Sequence, residues 1–246
     1  MKALLLALLC TATASAAELT VCAEPWDPFI SNQAGKPTGL AVDVLNTAAQ
    51  ASGYTLRYQF LSAGGCTKLM HASKADIIAF PDSEPSWPGW LYTQKPLVFW
   101  VLHAWVRKDS PLKQFRSLED FYGQNVAWVA DYEPDYPRRL KAVSSWKRMP
   151  APDTTASLSM LVGGRVDVVF DDAAAHSMLA PGMAMRIRRL DPQLASRAQP
   201  FALRRGLESL RNAIDAESTR QASSGRLDDF YRRELKIGWK QVLQLQ

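Results

Sequence analysis

The feature that most constrains this chain is the alternation of short β-favouring runs with helical ones through its first hundred residues. Leu19-Thr20-Val21-Cys22-Ala23 is apolar and ended by Pro25. Residues 40–52 then place Leu40, Val44, Leu45, Ala48 and Ala49 on one helical face before Gly53. Residues 54–60 alternate as a strand, 66–73 predict a short helix, and 75–80 read as strand again. Strands separated by helices imply a mainly parallel sheet, because parallel neighbours need a crossover. Ligands of such sheets lie beyond the carboxyl ends of the strands, so the loops after Ala23 and Phe80 are expected to meet in one cleft.

Upstream, Lys2 precedes an apolar run over residues 3–10, and Ala14-Ser15-Ala16-Ala17 follow. This predicts a secretory signal peptide over residues 1–16, cleaved near Ala16 or Ala17, and a periplasmic mature protein. The run is far shorter than the ~20 residues that span a bilayer. Leu9 stands where a lipid-attachment site has a small residue, so Cys10 is expected to leave with the signal. Cys22 and Cys66 remain, and an oxidising compartment favours a disulfide between them, two buried thiols being the alternative. The cysteines and His71, His103 and His176 lack ligand-like spacing, so neither metal nor cofactor is expected. An apolar fraction of 47% against 22% charged residues supports a packed core rather than disorder. A net charge of +5 spread along the chain does not imply a nucleic-acid partner.

After residues 97–107, the longest strand-like run, the pattern starts again. A capped helix is expected at Ser117-Leu118-Glu119-Asp120, a strand at 126–129, a helix capped by Thr155 that stops at Gly163-Gly164, and a buried strand at 166–170 running into Asp171-Asp172. Two amphipathic helices follow from Leu207, broken at Ser223-Ser224-Gly225.

Several strings share an order with one known family. They are Trp26-Asp27-Pro28-Phe29, Gly35-Lys36-Pro37-Thr38-Gly39-Leu40 with Asp43, Lys74-Ala75-Asp76-Ile77-Ile78, Pro96, Val106-Arg107-Lys108-Asp109-Ser110-Pro111, the run from Gly164 to Asp172, and Phe201-Ala202-Leu203-Arg204-Arg205-Gly206. Over nearly the whole mature chain the sequence resembles the extracellular solute-binding proteins of family 3, periplasmic receptors of polar amino-acid ABC transporters. The resemblance implies a type 2 periplasmic-binding α/β fold with two lobes, each a mainly parallel sheet flanked by helices. Two crossing strands near residues 97–107 and 185–203 would form the hinge. Lobe one would comprise 17–100 and 201–246, and lobe two 101–200. The protein would be a monomer whose partners are a small-molecule ligand and an ABC permease or a membrane sensor.

By the same resemblance, Trp26 takes the place of the aromatic wall against the ligand, and Asp172 that of the aspartate that receives an ammonium. One departure is informative. Where the family shows a Thr and, five residues on, an Arg that grips a carboxylate, this chain has Asp82 and Trp87. Bidentate Arg suits a carboxylate, so that clamp is expected to be lost. The second lobe's loop offers Asp131 and Tyr132. With Phe80, Trp87, Trp90 and Asp171 these residues would suit a cationic or polyhydroxylated ligand. Trp26→Ala and Asp172→Ala are expected to abolish ligand stabilisation and leave the unliganded melt nearly unchanged. The chain carries no nucleophile elbow, Cys-His pair or phosphate loop, so catalysis is not expected. The enzyme alternative is a dehydratase-like activity with Glu84 or Glu133 as general acid, and it lacks basic anchors for an acidic substrate.

Overall fold

The computed structural model describes residues 16–81, 88–130, 132 and 136–244. The expected signal peptide, Ala16 apart, lies outside them. Strand β1 (Ala17–Ala23) is buried over its last five residues and pairs in parallel with β4 (Tyr54–Phe60) and β5 (Ile77–Ala79). Between β1 and β4 lie a hairpin, β2 (Ser31–Gln33) and β3 (Lys36–Thr38), and helix α1 (Leu40–Ala51), whose periodic Val44, Leu45 and Ala48 are buried. Helix α2 (Ala63–His71) starts earlier than its apolar residues indicate, because the Ser62 side chain caps it by accepting from Gly65 N at 3.3 Å. With β6 (Trp90–Tyr92) and the antiparallel return strand β12 (Phe201–Arg204), the first sheet has the order β4-β1-β5-β12-β6.

The second sheet, of order β11-β7-β10-β8-β9, contains β7 (Val98–Arg107), β8 (Asn125–Val129), β9 (Lys147–Ala151), β10 (Val168–Asp172) and β11 (Ile187–Gln199). Strands β10, β8 and β9 are parallel, and β7 runs against β10 and β11. Short helices α3 (Arg138–Lys141) and α5 (Pro181–Ala184) join these strands. Helix α4 (Thr154–Val162) covers the face that carries Val169 and Trp105. Phe121, Trp146, Phe170 and Leu102 fill the opposite face. The chain is thus a two-lobed α/β protein, with separate cores for its two sheets.

The expected crossing strands are present as the antiparallel pair β7 and β11, in register from Ile187↔Arg107 to Gln199↔Val98 with a bulge between Leu190 and Ala195. Strand β11 then passes directly into β12 across Pro200. The C-terminal helices α6 (Glu208–Ser223) and α7 (Arg226–Glu234), separated at Gly225, and the short α8 (Trp239–Leu243) pack on the first lobe's core. Tyr231 of α7 is fully buried at the crossing, where its hydroxyl accepts from Phe99 N at 2.9 Å and donates to Leu97 O at 3.2 Å. Burial holds its pKa well above the usual value. Tyr231→Phe leaves both backbone groups without that partner, so urea unfolding should show a loss of about 1–3 kcal/mol.

Cys22 of β1 and Cys66 of α2 form a disulfide, with Cα atoms 5.5 Å apart, beside Met70, Ile78 and Trp90. The bond lies wholly within the first lobe. It restrains the unfolded chain without tying the two sheets together.

Candidate ligand-binding cleft

Most residues lining the cleft between the sheets stand where parallel strands end. Glu24, Pro25 and Trp26 follow β1, Phe80 and Pro81 follow β5, and Tyr132 follows β8. Asp153, Thr154 and Thr155 follow β9, and Asp171 and Asp172 end β10. The crossing strands add Trp100, Arg197 and Gln199 at the back, and the cavity measures about 210 Å³. Such a pocket admits a metabolite the size of an amino acid.

Trp26 is set by a tight loop, in which its N–H donates to Ile30 O at 2.7 Å and its carbonyl accepts from Ile30 N at 3.0 Å. Gly39 locks this loop. Its φ is +117°, and a Cβ there would lie 2.4 Å from Phe29 O and 2.8 Å from Pro28 O. The indole is half-buried, edge-on to Phe29 at 4.9 Å and to Phe80 at 5.5 Å. Its Nε1 donates across the lobes to Asp172 Oδ1 at 3.4 Å, and Ser177 Oγ makes a second crossing bond to Asp27 O at 3.3 Å.

Phe80 leaves β5 with φ 56°, in the left-handed region that disfavours any residue with a Cβ. Its N–H bonds Pro200 O at 3.2 Å and its ring lies 5.2 Å from Phe201, so packing holds the ring toward Trp26 at the expense of backbone ease. Phe80→Gly should therefore be more stable than Phe80→Ala by about 1 kcal/mol. Both variants lose the aromatic wall, and a urea-unfolding comparison checks the order.

The Asp172 carboxylate is buried at 5% exposure and already holds three donors. Oδ1 accepts from Ala174 N at 2.8 Å and from Trp26 Nε1, and Oδ2 accepts from Val101 N at 2.9 Å. These bonds fix the group at the cleft and brace the end of β10 against β7. The expectation of an unchanged melt in Asp172→Ala is thereby corrected, because the substitution strips buried N–H groups of their acceptor. Asp171 accepts from Asp172 N at 2.7 Å and from Ser157 Oγ at 3.4 Å. Burial pushes the Asp171 carboxyl up to about 7, with the adjacent Asp172 charge adding to it, and pushes Asp172 up to about 6 against its hydrogen bonds. Burial also raises the Tyr132 hydroxyl, and the charges of Glu24 and Asp171 add to that rise.

Both aspartates bind protons more tightly in the folded chain than in the unfolded one, where a carboxyl titrates near ~3.9. The folded state therefore holds the excess protons between about pH 4 and pH 7, and this part of the stability falls as pH rises through that window. The unliganded protein should melt higher at pH 5.5 than at pH 8, and Asp171→Asn should flatten the difference.

Of the residues expected at the site, the structure brings together Trp26, Phe80, Tyr132, Asp171 and Asp172. Asp82, Trp87 and Asp131, like Glu84 and Glu133, lie outside the described residues. Trp90 sits elsewhere, in β6 against the disulfide cluster. The cap of α4 is Asp153 rather than Thr155, its carboxylate accepting from Ala156 N at 2.7 Å, so Thr154 and Thr155 open the helix at the cleft. Sequence reasoning missed Glu24, Trp100, Asp153, Thr154, Arg197 and Gln199. Arg197 is the only Lys or Arg among the described residues lining the cleft, and its guanidinium carbon lies over the Trp100 ring, 5.8 Å from the centroid. The available signal was an arginine among small residues, Ala195-Ser196-Arg197-Ala198, within the segment expected to form a crossing strand.

No family model matches the chain, and no curated protein matches it by sequence. Solved structures do match over most of its length. The GluR0 ligand-binding core in complex with L-glutamate has 20% identity and a TM-score of 0.70, covering 90% of this chain and 99% of that one. A histidine kinase sensor domain with similarity to periplasmic binding proteins has 17% identity and a TM-score of 0.69, covering 90% and 97%. An ancestral arginine-binding protein bound to arginine has 18% identity and a TM-score of 0.67, covering 89% and 99%. At these identities the likeness shows the shared fold, that of periplasmic-binding-protein-like two-lobed domains.

Proposed function

We propose that this protein is a periplasmic solute-binding protein that closes its two lobes, 17–100 with 201–246 and 101–200, around a small polar, amino-acid-like or cationic ligand and delivers it to an ABC permease without chemical change. The observation that carries this reading is the pairing of Trp26, from the first lobe, with the buried Asp172 of the second, at the mouth of a cavity lined by strand ends. A buried carboxylate fixed by backbone donors attracts a cation, and an indole beside it offers a π face to the same charge. A ligand that touches both lobes favours the closed arrangement, which is all that hinge closure requires. The Cys22–Cys66 disulfide supports a periplasmic location, since it suits an oxidising space. The likeness to a glutamate-bound core and to an arginine-bound protein supports an amino-acid-like guest.

The likeness to a histidine kinase sensor domain favours a second reading, in which closure is reported to a membrane sensor. Cells lacking the protein should lose uptake of the ligand under the first reading. Under the second they should keep uptake and lose a response to it.

A thermal-shift screen against small polar metabolites tests binding itself. A ligand at a hundredfold excess over its Kd stabilises by about 2.7 kcal/mol, which for a chain of this size raises the melt by roughly 5–10 °C. A screen spanning amines, amino acids and polyols in which nothing produces a concentration-dependent shift contradicts the proposal.

A further inference from the structure

The two ends of the second sheet differ in charge. The carboxyl ends of its parallel strands bring Asp153, Asp171 and Asp172 to the cleft. At the other end β8, β9 and β10 begin, β7 stops and β11 starts. There Lys108 follows β7, Lys147 opens β9, Arg165 leads into β10 and Arg186 precedes β11, and all four are exposed. In the sheet order β11-β7-β10-β8-β9 they mark four of the five strands, so the row crosses the whole sheet, about 19 Å at a spacing of about 4.8 Å per strand. Segments 107–124, 163–167 and 183–188, with Lys147, hold eight Lys and Arg against four Asp and Glu. Asp109 and Asp167 lie 3.6 and 4.0 Å from the Arg107 guanidinium, and Asp120 accepts from Arg116 N and Ser117 N. Among the described residues no carboxylate pairs with Lys108, Lys113, Lys147, Arg165, Arg186 or Arg188. Arg186 donates to Val162 O at 3.3 Å and Arg188 to the carbonyls of Ser110 and Leu112, which orients the guanidiniums and leaves their charge uncompensated.

A row of this width exceeds any single small anion and suits an extended negative surface. The same end exposes two of the large hydrophobic side chains that the described residues leave in solvent, Met185 at 67% beside Arg186 and Tyr122 at 48% before β8. An apolar thioether and an amphipathic ring set among cations match a layer of anionic headgroups over acyl chains, where the charges meet phosphates and the apolar atoms enter the boundary. We propose that this end of the second lobe docks peripherally on an anionic phospholipid bilayer. The cleft lies at the opposite end of the same strands, so docking leaves it uncovered, and the proposal does not depend on what the cleft binds.

The test is co-sedimentation of the mature protein with vesicles of phosphatidylcholine alone or mixed with phosphatidylglycerol. The wild type should bind the mixed vesicles, ignore the neutral ones and come off as salt is raised. The triple variant Lys108→Gln, Lys147→Gln, Arg165→Gln removes three exposed cations that take part in no ion pair among the described residues, so the fold should be kept. At about fivefold per cation, its partitioning onto mixed vesicles should fall on the order of 100-fold. A second triple, Lys36→Gln, Lys68→Gln, Lys240→Gln, makes the same change in net charge outside this end and should bind like the wild type. The proposal is overturned if the wild type does not prefer the mixed vesicles, or if both triples lose binding equally, since net charge rather than this end would then be responsible. It is also overturned if soluble poly-glutamate binds this end and the vesicles do not, which would make the partner an acidic protein. Each of these outcomes leaves the solute-binding reading standing, because the metabolite thermal shift reads the cleft separately.

Discussion

Gly39→Ala should destabilise the unliganded protein by about 3–5 kcal/mol, among the largest effects of any single substitution in this chain. Two penalties coincide at this position. The backbone sits at φ +117°, outside the regions open to L-residues, and the new methyl would meet Phe29 O at 2.4 Å and Pro28 O at 2.8 Å. Neither oxygen can swing aside as a flexible side chain would. Phe29 O also accepts from Ala41 N at 2.9 Å, so moving it disturbs the first turn of α1. The loop that yields is the one presenting Trp26, and affinity should fall together with stability. Urea unfolding with a ligand titration on the same variant checks both. A variant of wild-type stability would mean that this close approach is not part of the native structure.

Asp172→Asn should weaken binding of an ammonium-bearing ligand by roughly 30- to 4,000-fold, the range expected when one partner of a buried charge pair is removed. The substitution is nearly isosteric, so the shape of the cleft is kept and the charge is lost. It also turns a group that accepts from Val101 N, Ala174 N and Trp26 Nε1 into one with a single acceptor oxygen, so the unliganded melt should fall. Loss of binding with a moderate loss of stability is the signature of this double role. Since Asp171 and Asp172 are pushed up to about 7 and about 6, cation binding at neutral pH should also release protons, which calorimetry in buffers of different ionisation enthalpy detects.

The parts of the fold that could be read from sequence are those in which one periodicity dominates. β1, α1 and the first part of β10 carry apolar patterns, β4 alternates apolar with polar residues, and each forms within a few residues of where its pattern lies. β9 was not readable. Its Lys147, Arg148 and Pro150 are exposed at a sheet edge, where proline and charges are tolerated, and only Met149 among the first four residues is half-buried. The three-residue strands of the β2–β3 hairpin are too short to show a period. For the cleft, Trp26 and Asp172 were identified through their place in a family pattern. Arg197 was not, because its place in the cleft follows from a pairing with Trp100 on a strand almost a hundred residues away. Asp153 and Thr155 are both plausible caps, and only the backbone conformation of Asp153, with φ −156° and ψ 171°, places it just outside the helix.

The account stands or falls on a charged amine resting against Asp172 and Trp26 between the lobes. The most direct test takes the strongest ligand from the metabolite screen and measures its affinity beside that of its N-acetylated analogue, which keeps the carboxylate and the side chain and removes the positive charge. The wild-type protein should bind the free amine at least a hundredfold more tightly, and Asp172→Asn should bind the two alike. Equal affinity of both compounds for the wild type would contradict it.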